Sequence, residues 1–121
     1  MQDGFLKIYV FTGNHTFPIE GAKVTGFADG KLIFFFLTDK NGRTPTVSVS
    51  SPNEDLSEDP GNVKPYSTLD ITVSAKGFRT AIYRGVLVFA TETSIAYANM
   101  IPLAEGQPDI PLEYDLKFDN L

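Results

Sequence analysis

Few residues in this chain have types and spacing that could do chemistry. Tyr83-Arg84-Gly85, with Arg79 just upstream, has the look of a catalytic signature. The competing reading is that the tripeptide only leads the chain into a following strand at Val86. His15, in Gly13-Asn14-His15-Thr16-Phe17, is the chain's one histidine. With no cysteine and no second histidine to join it, it makes a poor transition-metal site. Asn53-Glu54-Asp55 and Glu58-Asp59 offer oxygen ligands of the kind calcium takes, but not at the spacing of an EF-hand loop. A glycosidase pair would need two acids fixed on opposite walls of a cleft, which carboxylates on one loop do not supply. Serines are plentiful, so no Ser-His-Asp set is singled out.

A lysine amine and an asparagine carboxamide can also condense into an internal isopeptide bond. Lys7, Asn99 and Asp70 are the residues for it, placed in the first, last and an intermediate strand. Lys7 falls opposite Leu6, Ile8 and Val10, and Asp70 alternates away from Ile71. Both should therefore point outward, which argues against the bond.

The elements that must position these groups read as beta throughout. Phe5–Phe11 alternates Leu6, Ile8 and Val10 against Lys7 and Tyr9. Gly21–Phe27 sets Ala22 and Val24 on one face, and Asp29-Gly30 supplies a tight hairpin turn. Lys31–Thr38 is apolar on both faces and suggests a central strand, with Phe34-Phe35-Phe36 as core and a partly covered outer face. Lys31, Asp39 and Lys40 flank it as guards against aggregation. Thr44–Ser50 turns Val47 and Val49 inward, and Pro45 places its start at an edge or outside the ladder. Ser51–Tyr66 is a long polar, acidic, proline-containing surface loop. Thr68–Ala75 resumes strict alternation, and Val86–Ala90 and Ser94–Leu103 complete the set. About seven short strands and no convincing helix predict an all-β, seven-stranded, two-sheet antiparallel β-sandwich over residues 1–104. Gly106 and Pro108 mark a boundary, and residues 105–121 form a tail that is an extra strand, a strand lent to a neighbour, or a linker.

With 121 residues, the chain fits one domain that buries roughly two thirds of its unfolded surface. The absence of cysteine excludes disulfides and thiol nucleophiles. A net charge of −5 leaves no basic stripe for phosphates, so nucleic acid is not an expected partner. No apolar run approaches the roughly 20 residues of a membrane span. Met1-Gln2-Asp3-Gly4 lacks the basic start and apolar stretch of a signal peptide. The compartment stays open.

Three motifs carry a family resemblance. Pro18-Ile19-Glu20-Gly21-Ala22-Lys23-Val24 resembles the opening of carboxypeptidase regulatory-like domains, which have a transthyretin-like, or prealbumin-like, Greek-key fold. Thr38-Asp39-Lys40-Asn41-Gly42-Arg43-Thr44 is similar to their turn, and Ile71-Thr72-Val73-Ser74-Ala75-Lys76-Gly77-Phe78 to their strand and corner. They occur in family order, and with flanking strands span roughly residues 5 to 103. In this reading Gly21 and Gly42 sit where the chain turns, Ala22 and Ala75 are small for sheet approach, and Phe78 plugs the sandwich end. The acidic loop before Pro65-Tyr66, Gly85-Val86-Leu87-Val88-Phe89 and Met100-Ile101-Pro102-Leu103 resemble accessory domains of clostridial spore cortex-lytic and envelope proteins. Transthyretin-like hydroxyisourate hydrolases carry Tyr-Arg-Gly-Ser at their C-terminus with two histidines. Here Val86 follows Gly85 and only His15 is present, so that constellation is not expected.

The expectation is thus a non-catalytic accessory or interaction module, not an enzyme, without cofactor or metal, linked to a bacterial envelope, peptidoglycan or spore-associated protein. Its partner would be a protein or an adjacent catalytic domain. The alternative is a carbohydrate-binding module for cell-wall glycan, although tryptophan is absent. His15, Phe17, Asp55, Tyr66, Arg79 and Arg84 are the expected binding residues.

Overall fold

The computed structural model describes residues 3–13, 16–50, 66–89 and 91–115. Among them are nine strands and no helix: β1 (Asp3–Thr12), β2 (Phe17–Pro18), β3 (Lys23–Ala28), β4 (Lys31–Leu37), β5 (Val47–Ser50), β6 (Tyr66–Ser74), β7 (Ala81–Phe89), β8 (Thr93–Asn99) and β9 (Leu112–Asp115). They build two sheets. In one, β8 lies along one edge of β1, while β5 and β2 follow each other along the other edge. The second has the order β4-β3-β6-β7-β9.

Period-two alternation becomes a shared core. Leu6, Ile8 and Val10 of β1 are at most 1% exposed, and Val47, Val49 and Ala98 point the same way. Val24, Leu69, Ile71, Val73, Ala81, Val86 and Val88 meet them from the second sheet in one buried cluster. Met100 closes it, and Phe78, packed against the cluster, bridges to Pro102 at the sandwich end. This is the all-β, two-sheet sandwich that the alternation implied.

Three details differ from the sequence reading. There are nine strands rather than seven: β2 is too short to carry a readable period, and β9 lies in the tail, 105–121, for which an extra strand is one of the readings. The sandwich is not wholly antiparallel: β8 runs parallel to β1 and β9 parallel to β7. Side-chain alternation reports faces and is blind to strand direction. Lastly, β4 is an edge strand, not a central one. Apolar residues on both faces say what each face meets, not whether a neighbour occupies the open backbone edge.

Candidate functional site

Tyr83-Arg84-Gly85 is neither a catalytic turn nor the approach to a strand; it lies inside β7 as a β-bulge. Leu69 pairs with Val86 and Ile71 with Tyr83, so Asp70 alone faces both Arg84 and Gly85. Gly85 takes φ of 81°, the left-handed conformation that such a bulge assigns to glycine. Its N–H donates to Asp70 Oδ1 at 3.1 Å. The bulge turns Arg84 outward, where its guanidinium lies 3.5 Å from Asp70 Oδ2 and 2.9 Å from Glu113 Oε1 of β9. That hydrogen bond to Glu113 holds the guanidinium's pKa above its usual value.

Tyr83 points inward. Its ring stacks on Tyr114 of β9, with centroids 5.0 Å apart and planes 12° from parallel. Burial, followed by the neighbouring Tyr114, pushes its pKa up to about 12. A phenol held there stays protonated near neutrality and cannot act as a general base.

Arg79 fastens the same edge: its Nε and Nη2 donate to the Ile110 carbonyl at 2.9 and 2.7 Å. Beside it, the Thr80 backbone N–H and hydroxyl donate to the two carboxylate oxygens of Asp109 at 2.8 and 2.7 Å. Both expected arginines therefore tie the segment 109–115 to β7. The Thr80 backbone hydrogen bond, more than any other contact, holds the Asp109 carboxyl below its ordinary 3.8. A depressed carboxylate stabilises above its unfolded pKa, and that contribution is lost as pH falls through the folded value. Acidification below about 3.8 should thus loosen β9. The check is hydrogen exchange at the Leu112 amide, which donates to the Thr80 carbonyl at 2.9 Å. Its protection should fall in that window, and Asp109→Ala should remove the pH dependence.

The remaining expected residues do not converge. Phe17 stands 62% exposed on β2. Tyr66 opens β6, in register with Phe89. His15 and the Asn53–Asp59 carboxylates, Asp55 among them, lie outside the described residues. Among the described residues, no three His, Cys, Asp or Glu side chains gather as a metal site would require. The isopeptide set is also dispersed. Lys7 pairs with Ile95 while Asn99 pairs with Phe11. Four residues of extended strand separate those positions by about 13 Å. Asp70 belongs to the other sheet and is engaged by Gly85 and Arg84.

Three surface features escape period counting, since each depends on which strands become neighbours. The first is the edge strand β4, where Leu32, Ile33, Phe35 and Leu37 are 59, 44, 51 and 56% exposed. The second is a ring cluster on the outer face of the first sheet. Tyr97 meets Tyr9 and Phe11 edge-on, at 5.6 and 6.3 Å, and the Arg43 guanidinium lies 4.9 Å from the Tyr9 centroid. The third is an apolar cleft of about 390 Å³ between β7 and β8, lined by Ile8, Ile71, Val73, Val86, Ala96 and Ala98, with Tyr83 and Tyr97 also on its wall.

No family model matches the chain, and no curated protein matches it. Solved structures do. Wild-type catechol 1,2-dioxygenase of Acinetobacter radioresistens is 17% identical at a TM-score of 0.53, over 93% of this chain and 58% of that one. Catechol 1,2-dioxygenase of Pseudomonas arvilla C-1 is 13% identical at 0.56, over 90% and 55%. The 5-hydroxyisourate hydrolase of Klebsiella pneumoniae is 14% identical over 83% of this chain and 99% of that one, at a TM-score of 0.45. The chain thus spans a little over half the length of the dioxygenases, and at these identities the likeness is one of fold. It corrects the expectation that the chain is not an enzyme: the solved proteins sharing its sandwich are enzymes, so a structural-looking set of motifs gives no ground for excluding catalysis.

Proposed function

We propose that this sandwich is an interaction module that docks on a protein partner, or on a neighbouring domain of a longer polypeptide, through the outer edge of β4. One observation carries the reading: the row Leu32, Ile33, Phe35 and Leu37, all exposed on a strand that ends its sheet. Among the described residues no strand pairs with the other side of β4. A long apolar edge left open in a free monomer is an aggregation hazard. A partner that covers the side chains and pairs the backbone removes it. That the dioxygenases extend well beyond the shared region is compatible with such a neighbour. The similarity of the motifs to spore cortex-lytic and envelope accessory domains supports a bacterial envelope setting.

The test is the double variant Phe35→Lys, Leu37→Lys. Both side chains are more than half exposed, so the melting temperature should change little, within about 0.5 kcal/mol per site. A partner retained in fixed stoichiometry by the wild type, and reconstituted from purified components, should lose binding to the variant by at least about tenfold. Undiminished binding overturns the reading.

A second reading, glycan binding, draws on the half-exposed Tyr97 beside Tyr9 on the other sheet. Retention on purified peptidoglycan that Tyr97→Ala abolishes would favour it, and no retention would remove it.

A further inference from the structure

The open side of β4 can be followed residue by residue. The Thr38 N–H donates to the Ala22 carbonyl and the Thr38 carbonyl accepts the Gly21 N–H, so both groups face the β3 side. Backbone groups alternate between the two edges of a strand. Those of Phe35 and Leu37 therefore face the open side, where among the described residues no strand pairs. The side chains of Phe35 and Leu37 are exposed, while Phe34 between Gly26 and the core is buried. A β-bulge shifts the pairing with β3 by one residue between Phe34 and Leu32.

Charges flank this apolar run at both ends, in opposite order. Asp29 and Lys31 stand before it, and Asp39 and Lys40 after it. Lys31 is exposed and makes no ion pair among the described residues. The Arg43 N–H, with that of Asn41, donates to Asp39 Oδ1 and holds that carboxyl below its ordinary 3.8. Both donors are neutral backbone amides, so the carboxylate keeps its charge.

We propose that the partner at β4 is a second copy of this chain, its β4 paired antiparallel with the first across a two-fold axis at Phe35. This rests on β4 being the docking edge and names what docks there. Phe35 then faces Phe35 of the second copy as a hydrogen-bonded pair, Ile33 faces Leu37, and Lys31 comes opposite Asp39. Counted with the one-residue shift of the bulge, Asp29 comes opposite Lys40 and Lys31 stays beside Asp39. Opposite charges meet in both. An axis at Phe34 would set Asp29 against Asp39, and one at Phe36 would move Lys31 to Asn41 and Lys40. A two-fold pair makes the favourable match twice, once at each end, because the same surface serves on both sides. Leu32, Ile33, Phe35 and Leu37 are each about half exposed. Two copies of that row bury on the order of 1,000 Å² with the end charges, the small end of specific interfaces.

The chain has no cysteine, so a single introduced one can cross-link only between copies. Full-length Phe35→Cys, oxidised with copper–phenanthroline, should give a disulfide-linked dimer in high yield. A hydrogen-bonded pair holds its Cα atoms about 5.5 Å apart, within disulfide reach. Leu37→Cys sets its two cysteines four residues, about 13 Å, apart and should stay mostly monomeric. Analytical ultracentrifugation of the wild type should show a monomer–dimer equilibrium with Kd on the order of 10 µM, lost in Phe35→Lys, Leu37→Lys. Lys31→Glu should raise that Kd several-fold at low salt, a gap that closes as salt rises. A wild type still monomeric at about 500 µM overturns the proposal, being far above that Kd. So does equal cross-linking of the two cysteine variants, a Lys31→Glu dimer as tight as the wild type, or a dimer that survives the double lysine variant. The docking edge is judged separately. A monomeric wild type that loses a different protein partner through Phe35→Lys, Leu37→Lys keeps the edge and rejects the copy, whereas undiminished binding of that partner rejects the edge.

Discussion

Thr38→Val should cost the fold about 3 kcal/mol, although it changes neither the shape nor the volume of a side chain that is 4% exposed. The Thr38 hydroxyl accepts the Ala22 N–H at 2.9 Å and donates to the Ile19 carbonyl at 2.6 Å. Its backbone N–H donates to the Ala22 carbonyl, and its carbonyl accepts the Gly21 N–H, each at 3.0 Å. One residue thus clamps the segment 19–22, which leads into β3, onto the end of β4. Valine keeps the two backbone bonds and deletes both side-chain bonds. That strands a donor and an acceptor against a core where Ala22 is fully buried. Each unsatisfied group costs about 1–3 kcal/mol, and the half-buried Ile19 recovers part of its share from water. The melting temperature should fall by about 10 °C for a domain of this size. Thr38→Ser should retain most of the stability, losing about one buried methyl. Urea denaturation of the three proteins checks this: an equal midpoint for wild type and Thr38→Val would show that the clamp contributes nothing.

The same stretch shows how far sequence reading reaches. Thr38-Asp39-Lys40-Asn41-Gly42-Arg43-Thr44 was legible as a turn, and its polar residues do build one. Asp39 Oδ1 accepts the Asn41 and Arg43 N–H groups at 2.8 and 3.0 Å. Thr44 repeats the office of Thr38 on the other sheet, its hydroxyl accepting the Ile8 N–H at 3.1 Å. Gly21 and Gly42 both take positive φ, as their places at turns in the motifs implied. Local chemistry and period two are properties of neighbours in sequence, and both survive into the structure.

What failed depends on neighbours in space. β4 looked central because both faces are apolar, yet pairing with β3 alone leaves it at an edge. Tyr83-Arg84-Gly85 looked chemical because three functional residue types adjoin. The reason they adjoin is the bulge opposite Asp70, and Asp70 lies 15 positions away from Gly85. Arg79 and Arg84 were expected at a binding edge, and each instead meets a segment about 30 residues downstream. The cleft between β7 and β8 has no sequence signature at all. It exists because one sheet is narrower than the other, a fact of strand order that alternation does not encode.

Gly42→Ala tests the closest backbone approach in the turn, and about 3–4 kcal/mol is expected to be lost. Gly42 lies at φ of 76°, where a Cβ costs about 1–2 kcal/mol by itself. Lack of space costs more. A Cβ built there runs into the Val10 carbonyl oxygen and stands 3.2 Å from the Ile19 nitrogen. Those two atoms are partners, the Ile19 N–H donating to the Val10 carbonyl at 2.9 Å, and the Val10 N–H donates in turn to the Gly42 carbonyl at 2.6 Å. The nearest obstruction is backbone, so no rotamer change relieves it; the turn must lift off β1 and weaken both bonds. Against a total stability on the order of 10 kcal/mol for a chain this long, that is about a third. Gly42→Asn separates the two effects, because asparagine tolerates left-handed φ better than alanine yet brings the same Cβ. If close approach dominates, Gly42→Asn and Gly42→Ala should lose nearly equal stability in thermal melts. If asparagine restores most of it, the cost lies in the dihedral, and β1 has more room beside the turn than the packing of Val10 and Ile19 implies.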